Sequence, residues 1–198
     1  MPAQGRRAAS TAATRQALID AARDLLAEGR WSAFTLEAVA ARAGVTRATV
    51  YNQVASKAGL LDAVLTALVE RARMDRLLTD TQQMTARQAR MFVVEQTCRF
   101  WHAERAVLRP LFGLAAIDQE IAANLAQREQ WRTDQLDGLL TRLLATRNGP
   151  SPRPPRAALL AGLRAVTSFP TYDALGDVAD DPAAATALID RMVRGLTD

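Results

Sequence analysis

The 198-residue sequence has one cysteine, one histidine and, among 25 basic residues, a single lysine, Lys57. One cysteine excludes an intramolecular disulfide and fits a reducing compartment. Cys98 and His102 are four residues apart and so share a helical face, but two ligands do not complete a tetrahedral zinc site. No partner thiol is available for redox sensing, and neither metal nor cofactor is expected. No apolar run approaches the ~18 residues of a spanning helix, and the first residues lack the hydrophobic core of a signal peptide. A soluble, cytoplasmic protein without a membrane partner is the expectation. Also missing are a glycine-rich phosphate loop and any Ser–His or Cys–His constellation with an orienting group. Asp180 and Asp181 stand in a loop without basic or histidine partners and read as a solvated turn. An enzyme is not expected. No segment alternates with period two and no repeat is present, so the fold class is all-α.

What is present is a stretch, Thr35 to Lys57, that reads as two short helices joined by a tight turn. Leu36, Val39, Ala40 and Ala43 make one apolar face. Gly44 ends that helix where a residue with φ > 0 is needed, and Val45 plugs the turn. Thr46 caps a second helix running to about Val54, with Val50 and Val54 inward. Outward stand Arg47, Thr49, Asn52 and Gln53, with Tyr51 at the edge. This is a helix-turn-helix, whose second helix lies in the DNA major groove. Arg47 suits guanine, Asn52 and Gln53 suit adenine, and Thr49 suits a thymine methyl. Thr35, Tyr51 and Lys57 are placed for phosphates. A small solvated helical hairpin is the alternative; helices, turn and polar face agree against it.

Charge falls in the same place. Residues 1–57 hold eight basic and four acidic residues, and the remainder is balanced, so the whole net charge of +4 sits with the motif.

Residues 14–61 resemble the DNA-binding domain of the TetR (tetracycline repressor) family. The matching positions are Thr14-Arg15, Ile19, Ala22, Glu28, Thr35, Val39-Ala40, Ala43-Gly44-Val45, Thr49, Tyr51, Ser56-Lys57 and Leu60. Three positions depart: Val54 replaces a usual aromatic, Gly29-Arg30 shifts the first-helix glycine by one, and Gly59 enters the first turn of the next helix. The resemblance implies an all-helical homodimer with an N-terminal reader and a larger C-terminal domain that binds a small molecule and controls DNA release. It makes the chain a sequence-specific transcriptional regulator, most simply a repressor released from a palindromic operator on double-stranded DNA by a small, hydrophobic effector. A regulator answering to a protein partner, or to nothing, is the alternative. The expected boundary is 1–57 for the reader and 58–198 for the effector-binding and dimerisation domain.

Along the chain, residues 1–12, with Arg6-Arg7, are expected to be a disordered arm. A helix from about Ala12 to Glu28 packs over the motif, with Trp31 and Phe34 plugging the small core. A wide stripe from Leu60 to Val69 gives a helix to about Met74, the candidate lever between domains. Thr79–Thr85 reads as a polar connection. Helices are expected at Thr85–Ala103, Glu104–Phe112 around Pro110, Ile117–Thr146, Arg156–Phe169 and from Pro182 to the end. Arg147–Pro155, with four prolines, and 171–182 are loops.

Effector-pocket candidates are the aromatic and sparse polar groups Phe92, Phe100, Trp101, His102, Phe112, Trp131, Phe169 and Tyr172. Core filling is the alternative for any one of them, and Trp101 and His102 fall off the Phe92–Phe100 face. For the dimer, Leu159, Leu163 and Val166, with Gly162 permitting close approach, and Leu188, Met192 and Leu196 give more apolar face than a terminal helix pair needs by itself. In the family such a pair meets its symmetry mate in a four-helix bundle, and paired reading helices suit a palindrome. Burial of both stripes within one monomer is the alternative.

Overall fold

Helix is the only regular structure among the described residues of the computed structural model, which are 2–29, 34–146 and 154–197, with side chains from Ala9 onward. Arg30, Trp31, the 147–153 stretch and the Arg6-Arg7 side chains lie outside them. Ten α-helices are described: α1 (Pro2–Ala27), α2 (Leu36–Ala43), α3 (Arg47–Val54), α4 (Lys57–Arg71), α5 (Leu77–Asp80), α6 (Ala86–Ala115), α7 (Gln119–Ala145), α8 (Arg156–Val166), α9 (Phe169–Asp173) and α10 (Pro182–Thr197). Short 3-10 turns stand at Met74–Arg76 and Gly176–Asp180. No described helix is long and apolar enough to cross a membrane.

The chain divides into two units, residues 1–71 with 106–125, and residues 72–105 with 126–198. The boundary expected at 57/58 therefore falls inside the first unit. The reason is the apolar stripe of α4: Leu60, Leu61, Val64, Leu65 and Leu68 are all buried, and the helix packs on α1 and α3. Opposite them, α1 buries Leu18, Ile19, Ala22 and Leu26, α2 buries Leu36, Val39 and Ala40, and α3 buries Val50 and Val54. Phe34 is buried beside them as expected. Asn124 donates to the Ala58 carbonyl at 3.2 Å and ties residues 106–125 to the start of α4. The helix α1 starts at Pro2, so residues 2–11 extend it where a separate arm was expected. Their composition explains this: alanine, glutamine and arginine are good helix formers, and proline is tolerated in a first turn.

In the second unit Ala89 and Val93 of α6 meet Leu139 and Leu143 of α7 in a cluster bordered by Leu78, Met84 and Ala86. Helix α10 packs on α8, where a Cβ on Gly162 would stand 3.2 Å from the Leu196 methyls. Arginines fasten the connections. Arg142 donates to the carbonyls of Thr81 and Met84 and to the Thr81 hydroxyl, at 2.7–3.0 Å. Arg132 donates to the Thr167 hydroxyl at 2.7 Å and to the Arg164 carbonyl at 2.8 Å, capping the end of α8.

Several element bounds differ from expectation, each for a local reason. Arg73 takes φ +54° and stops α4 short of Met74, after which α5 occupies part of the expected polar connection. The expected separate helix Glu104–Phe112 is the continuation of α6. Pro110 lies inside it, and buried Val107, Leu108 and Leu111 hold the helix together across the missing donor. Ser168 caps α9 by accepting from the Thr171 amide at 3.3 Å, so α8 ends at Val166 and the 171–182 segment is largely helical.

Candidate nucleic-acid interface

The turn between α2 and α3 is locked at both ends. Thr35 caps α2 by accepting from the Ala38 amide at 3.1 Å. Gly44, at φ +68° and ψ 30°, ends it, with its own amide on the Ala41 carbonyl and that of Val45 on the Ala40 carbonyl at 2.9 Å. These two bonds form a Schellman motif. Thr46 then caps α3 by accepting from the Thr49 amide at 3.2 Å. Val45 is half-buried in the turn.

The far end of α3 is tighter still. Ala55 takes φ 58° and ψ −43° while the Ser56 amide donates to the Val54 carbonyl at 2.6 Å. That is a γ-turn with a positive central φ, a strained conformation for a residue with a Cβ. Gly59 follows at close quarters, because a Cβ there would stand 2.2 Å from the same Val54 oxygen. The glycine that weakens α4 by its propensity is thus required by the approach of α3.

With Val50 and Val54 buried, α3 presents Arg47, Ala48, Tyr51 and Asn52 to solvent, and Thr49 and Gln53 at its half-buried flanks. The expected base-reading residues Arg47 and Asn52 therefore share the open face with Tyr51, while Thr49 and Gln53 are partly covered. The Thr46 and Thr49 hydroxyls lie 2.9 Å apart, so both serve the helix start. Lys57, at the start of α4, places its ammonium 5.3 Å from the centre of the Phe34 ring.

Two residues given no role from sequence complete the face. Arg15 of α1 donates to the Gln53 carbonyl at 2.6 Å and pins the end of α3. Glu37 of α2 holds Arg47, with Nε and Oε1 2.9 Å apart. The Arg47 Nη2 also donates to the Tyr51 hydroxyl at 3.2 Å, and its guanidinium lies over the Tyr51 ring at 5.4 Å. The Tyr51 hydrogen bond, and then the Glu37 charge, hold the Arg47 pKa above its ordinary value. Acidic Glu37 inside a basic motif was the one available signal for this pair; nothing in the spacing signals Arg15.

Of the effector candidates in the second unit, Phe100, Trp101, Phe169 and Tyr172 are buried. The Phe100 and Trp101 ring centres are 5.0 Å apart, and Trp101 and Phe169 meet edge-on at 5.6 Å. Trp101, expected off the Phe92–Phe100 face, is nevertheless buried, and its Nε1 donates to the Thr167 carbonyl at 3.1 Å. The Tyr172 hydroxyl donates to the Ala179 carbonyl at 2.8 Å, and His102 Nδ1 lies 3.1 Å from the same oxygen. Phe92 is half-buried and Trp131 exposed, while Phe112, also half-buried, belongs to the first unit. An open groove of about 640 Å³ lies elsewhere on the second unit, lined by residues such as Met91, Glu95, Arg99 and Thr186, with none of the aromatic candidates. Asp180, expected without a basic partner, pairs with Arg105 at 2.6 Å, as does Asp173. Cys98 is fully buried, and burial pushes its thiol up to about 11 against a weaker opposing hydrogen bond from Thr186.

Among the dimer candidates, Leu159 and Leu163 are buried within the protomer, at 2% and 0% exposure, and so do not belong to an outer surface. Gly162 likewise serves the packing of α8 on its own α10. Val166, Leu188 and Leu196 are half-buried and Met192 is exposed.

Residues 18–64 match the family model of bacterial regulatory proteins of the tetR family. The HTH-type transcriptional regulator AlkX of Mycobacterium tuberculosis is 44% identical over 63 residues, 32% of this chain and 30% of that protein. The chain thus matches about a third of that relative's length. Among solved structures, a transcriptional regulator from Rhodococcus sp. Rha1 superposes with a TM-score of 0.69 at 20% identity, covering 92% of this chain and 95% of that one. A protein assigned as a transcriptional regulator of Pseudomonas aeruginosa PAO1 gives a TM-score of 0.72 at 17% identity, covering 92% and 89%. These structures share the all-helical fold over 92% of this chain.

Proposed function

We propose that the chain, whose residues 18–64 match the family model of bacterial regulatory proteins of the tetR family, is a transcriptional regulator of that family and a homodimeric repressor of a palindromic operator, released by a small hydrophobic effector. The observation that carries this reading is the open face of α3, where Arg47, Tyr51 and Asn52 stand exposed on a helix held by caps at its start and by Arg15 at its end. Base edges in the major groove are what such a face suits, and Thr35, Lys57 and the flanking Thr49 and Gln53 then meet the backbone and neighbouring bases. A palindrome follows from two-fold symmetry, with recognition helices about one helical turn apart. The surface of α8 and α10 that remains for a partner is Val166, Leu188, Met192 and Leu196. The effector belongs to the second unit in this reading, with Phe92 and Trp131 free to touch it and the Trp101–Phe169 pair as part of the apolar wall. Such a protein works beside the chromosome, in the cytoplasm.

The test is selection of genomic DNA fragments by the purified protein, followed by binding to the enriched site over a salt series. A palindrome bound with a steep salt dependence supports the reading. No enrichment over random fragments overturns it. Thermal shift against a small-molecule library then tests the effector, which should stabilise the free dimer and weaken operator binding.

A further inference from the structure

Arg47 carries the strongest base-reading chemistry on α3, yet its guanidinium is engaged twice within the protein. Glu37 Oε1 lies 2.9 Å from its Nε, and the Tyr51 hydroxyl 3.2 Å from its Nη2. Glu37 is the sole acid between Thr35 and Lys57. A carboxylate on a surface that faces phosphates opposes every DNA sequence alike. The pair is exposed on both sides, at 63% and 53% of the side chains, and such pairs contribute little to folding. Its place in the first turn of α2 adds a helix-dipole contribution of about 0.3–1 kcal/mol, which does not require an arginine partner.

We propose that Glu37 is a specificity-determining positioning residue that acts through Arg47; this rests on the DNA-binding reading above. Held between Glu37 and Tyr51, the guanidinium lies across the face of α3 instead of reaching for the nearest phosphate. Binding DNA through the Nε–Nη2 edge of Arg47 requires leaving Glu37 and exposing a carboxylate to the duplex. A guanine returns two hydrogen bonds, through O6 and N7, and offsets that loss. A single phosphate contact or another base returns less. Glu37 thus weakens random binding more than it weakens operator binding, and sharpens the preference for guanine at one position of each half-site.

The experiment uses the full chain and its variants Glu37→Gln, Glu37→Asp, Arg47→Ala and the double Glu37→Gln/Arg47→Ala. Each selects from duplexes randomised in both half-sites, and affinities for the enriched site and for random duplex are read by anisotropy. Glu37→Gln is expected to bind random duplex more tightly and to lower the ratio of specific to random affinity by about two- to fivefold, the size of an exposed ion pair. It should also relax the guanine preference, which Glu37→Asp should largely restore. In the Arg47→Ala background Glu37→Gln should change no base preference. An unchanged ratio and preference in Glu37→Gln would overturn the proposal. So would the same change with and without Arg47, because Glu37 would then act by bulk charge alone. Equal thermal midpoints keep folding out of the comparison, and the effect of Glu37→Gln with and without Arg47 carries the test if Glu37→Gln melts lower. If the native protein itself enriches no sequence, the DNA-binding reading fails first and the role of Glu37 falls with it.

Discussion

Both units carry exposed arginine pairs, and the second adds buried ones. In the first unit Arg47 and Arg42 are 63% and 41% exposed, each with a single acidic partner, Glu37 or Glu28. In the second, Arg90, Arg105 and Arg132 are 5%, 15% and 14% exposed and clamp helices and loop carbonyls from within. Aromatic groups follow the same division: Tyr51 is open to solvent, whereas Trp101 and Tyr172 are buried with their polar atoms bonded to main-chain carbonyls. An arginine whose partner is exposed can exchange it for DNA at little cost. One buried against a carboxylate cannot leave without stranding a charge. What distinguishes the second unit is therefore its buried clamps, since exposed pairs occur in both.

The strongest way to break this comparison is Arg90→Ala. It removes the more buried partner of Asp190, 2.9 Å away, and leaves that carboxylate the exposed Arg194 at 3.3 Å, so it should cost about 2–3 kcal/mol of stability, read as a fall in thermal midpoint. If it costs no more than an exposed pair, the division between the units fails. Gly59→Ala comes next, at about 1–3 kcal/mol, because its Cβ would meet a main-chain oxygen instead of a yielding side chain. It should also weaken operator binding, since the end of α3 must move. Arg47→Ala should leave the thermal midpoint in place and weaken operator binding by about 1–3 kcal/mol, or roughly 5- to 150-fold.

The two units should also differ in alkali. Burial raises Cys98 to about 11 and Tyr172 to about 12, both in the second unit. Their neutral forms are favoured when folded, so their contribution to stability is complete below about pH 9 and is lost as pH rises toward 11–12. Melting curves across that window should show a decline, and the folded thiol should resist alkylation at pH 8. The smallest effect belongs to Arg42→Ala, which removes an exposed 2.8 Å pair and should change stability by less than about 1 kcal/mol.

The reader was legible because its signals are local. Thr35, Gly44 and Thr46 each act within a few residues of themselves, and a cap or a positive φ leaves a mark in the sequence. Arg15 on Gln53, 38 residues away, leaves none, and Glu37 on Arg47 only the oddity of an acid in a basic stretch. In the second unit the apolar stripes gave helices but not their partners. Leu159 and Leu163 fit an outer face and an inner one equally well by spacing, and packing chose the inner one. The short helix expected around Pro110, Glu104–Phe112, is part of α6, which buried Val107, Leu108 and Leu111 keep whole. Asp180 and Arg105, 75 residues apart, could be joined only by the fold.

The central claim is that the open face of α3 reads bases through Arg47, and methylation interference at guanine N7 tests it most directly. On the selected operator, methylating one guanine in each half-site should abolish binding of the native protein, and the same methyl should matter little to Arg47→Ala. Interference that is absent from the half-sites, or identical in the two proteins, would contradict the account.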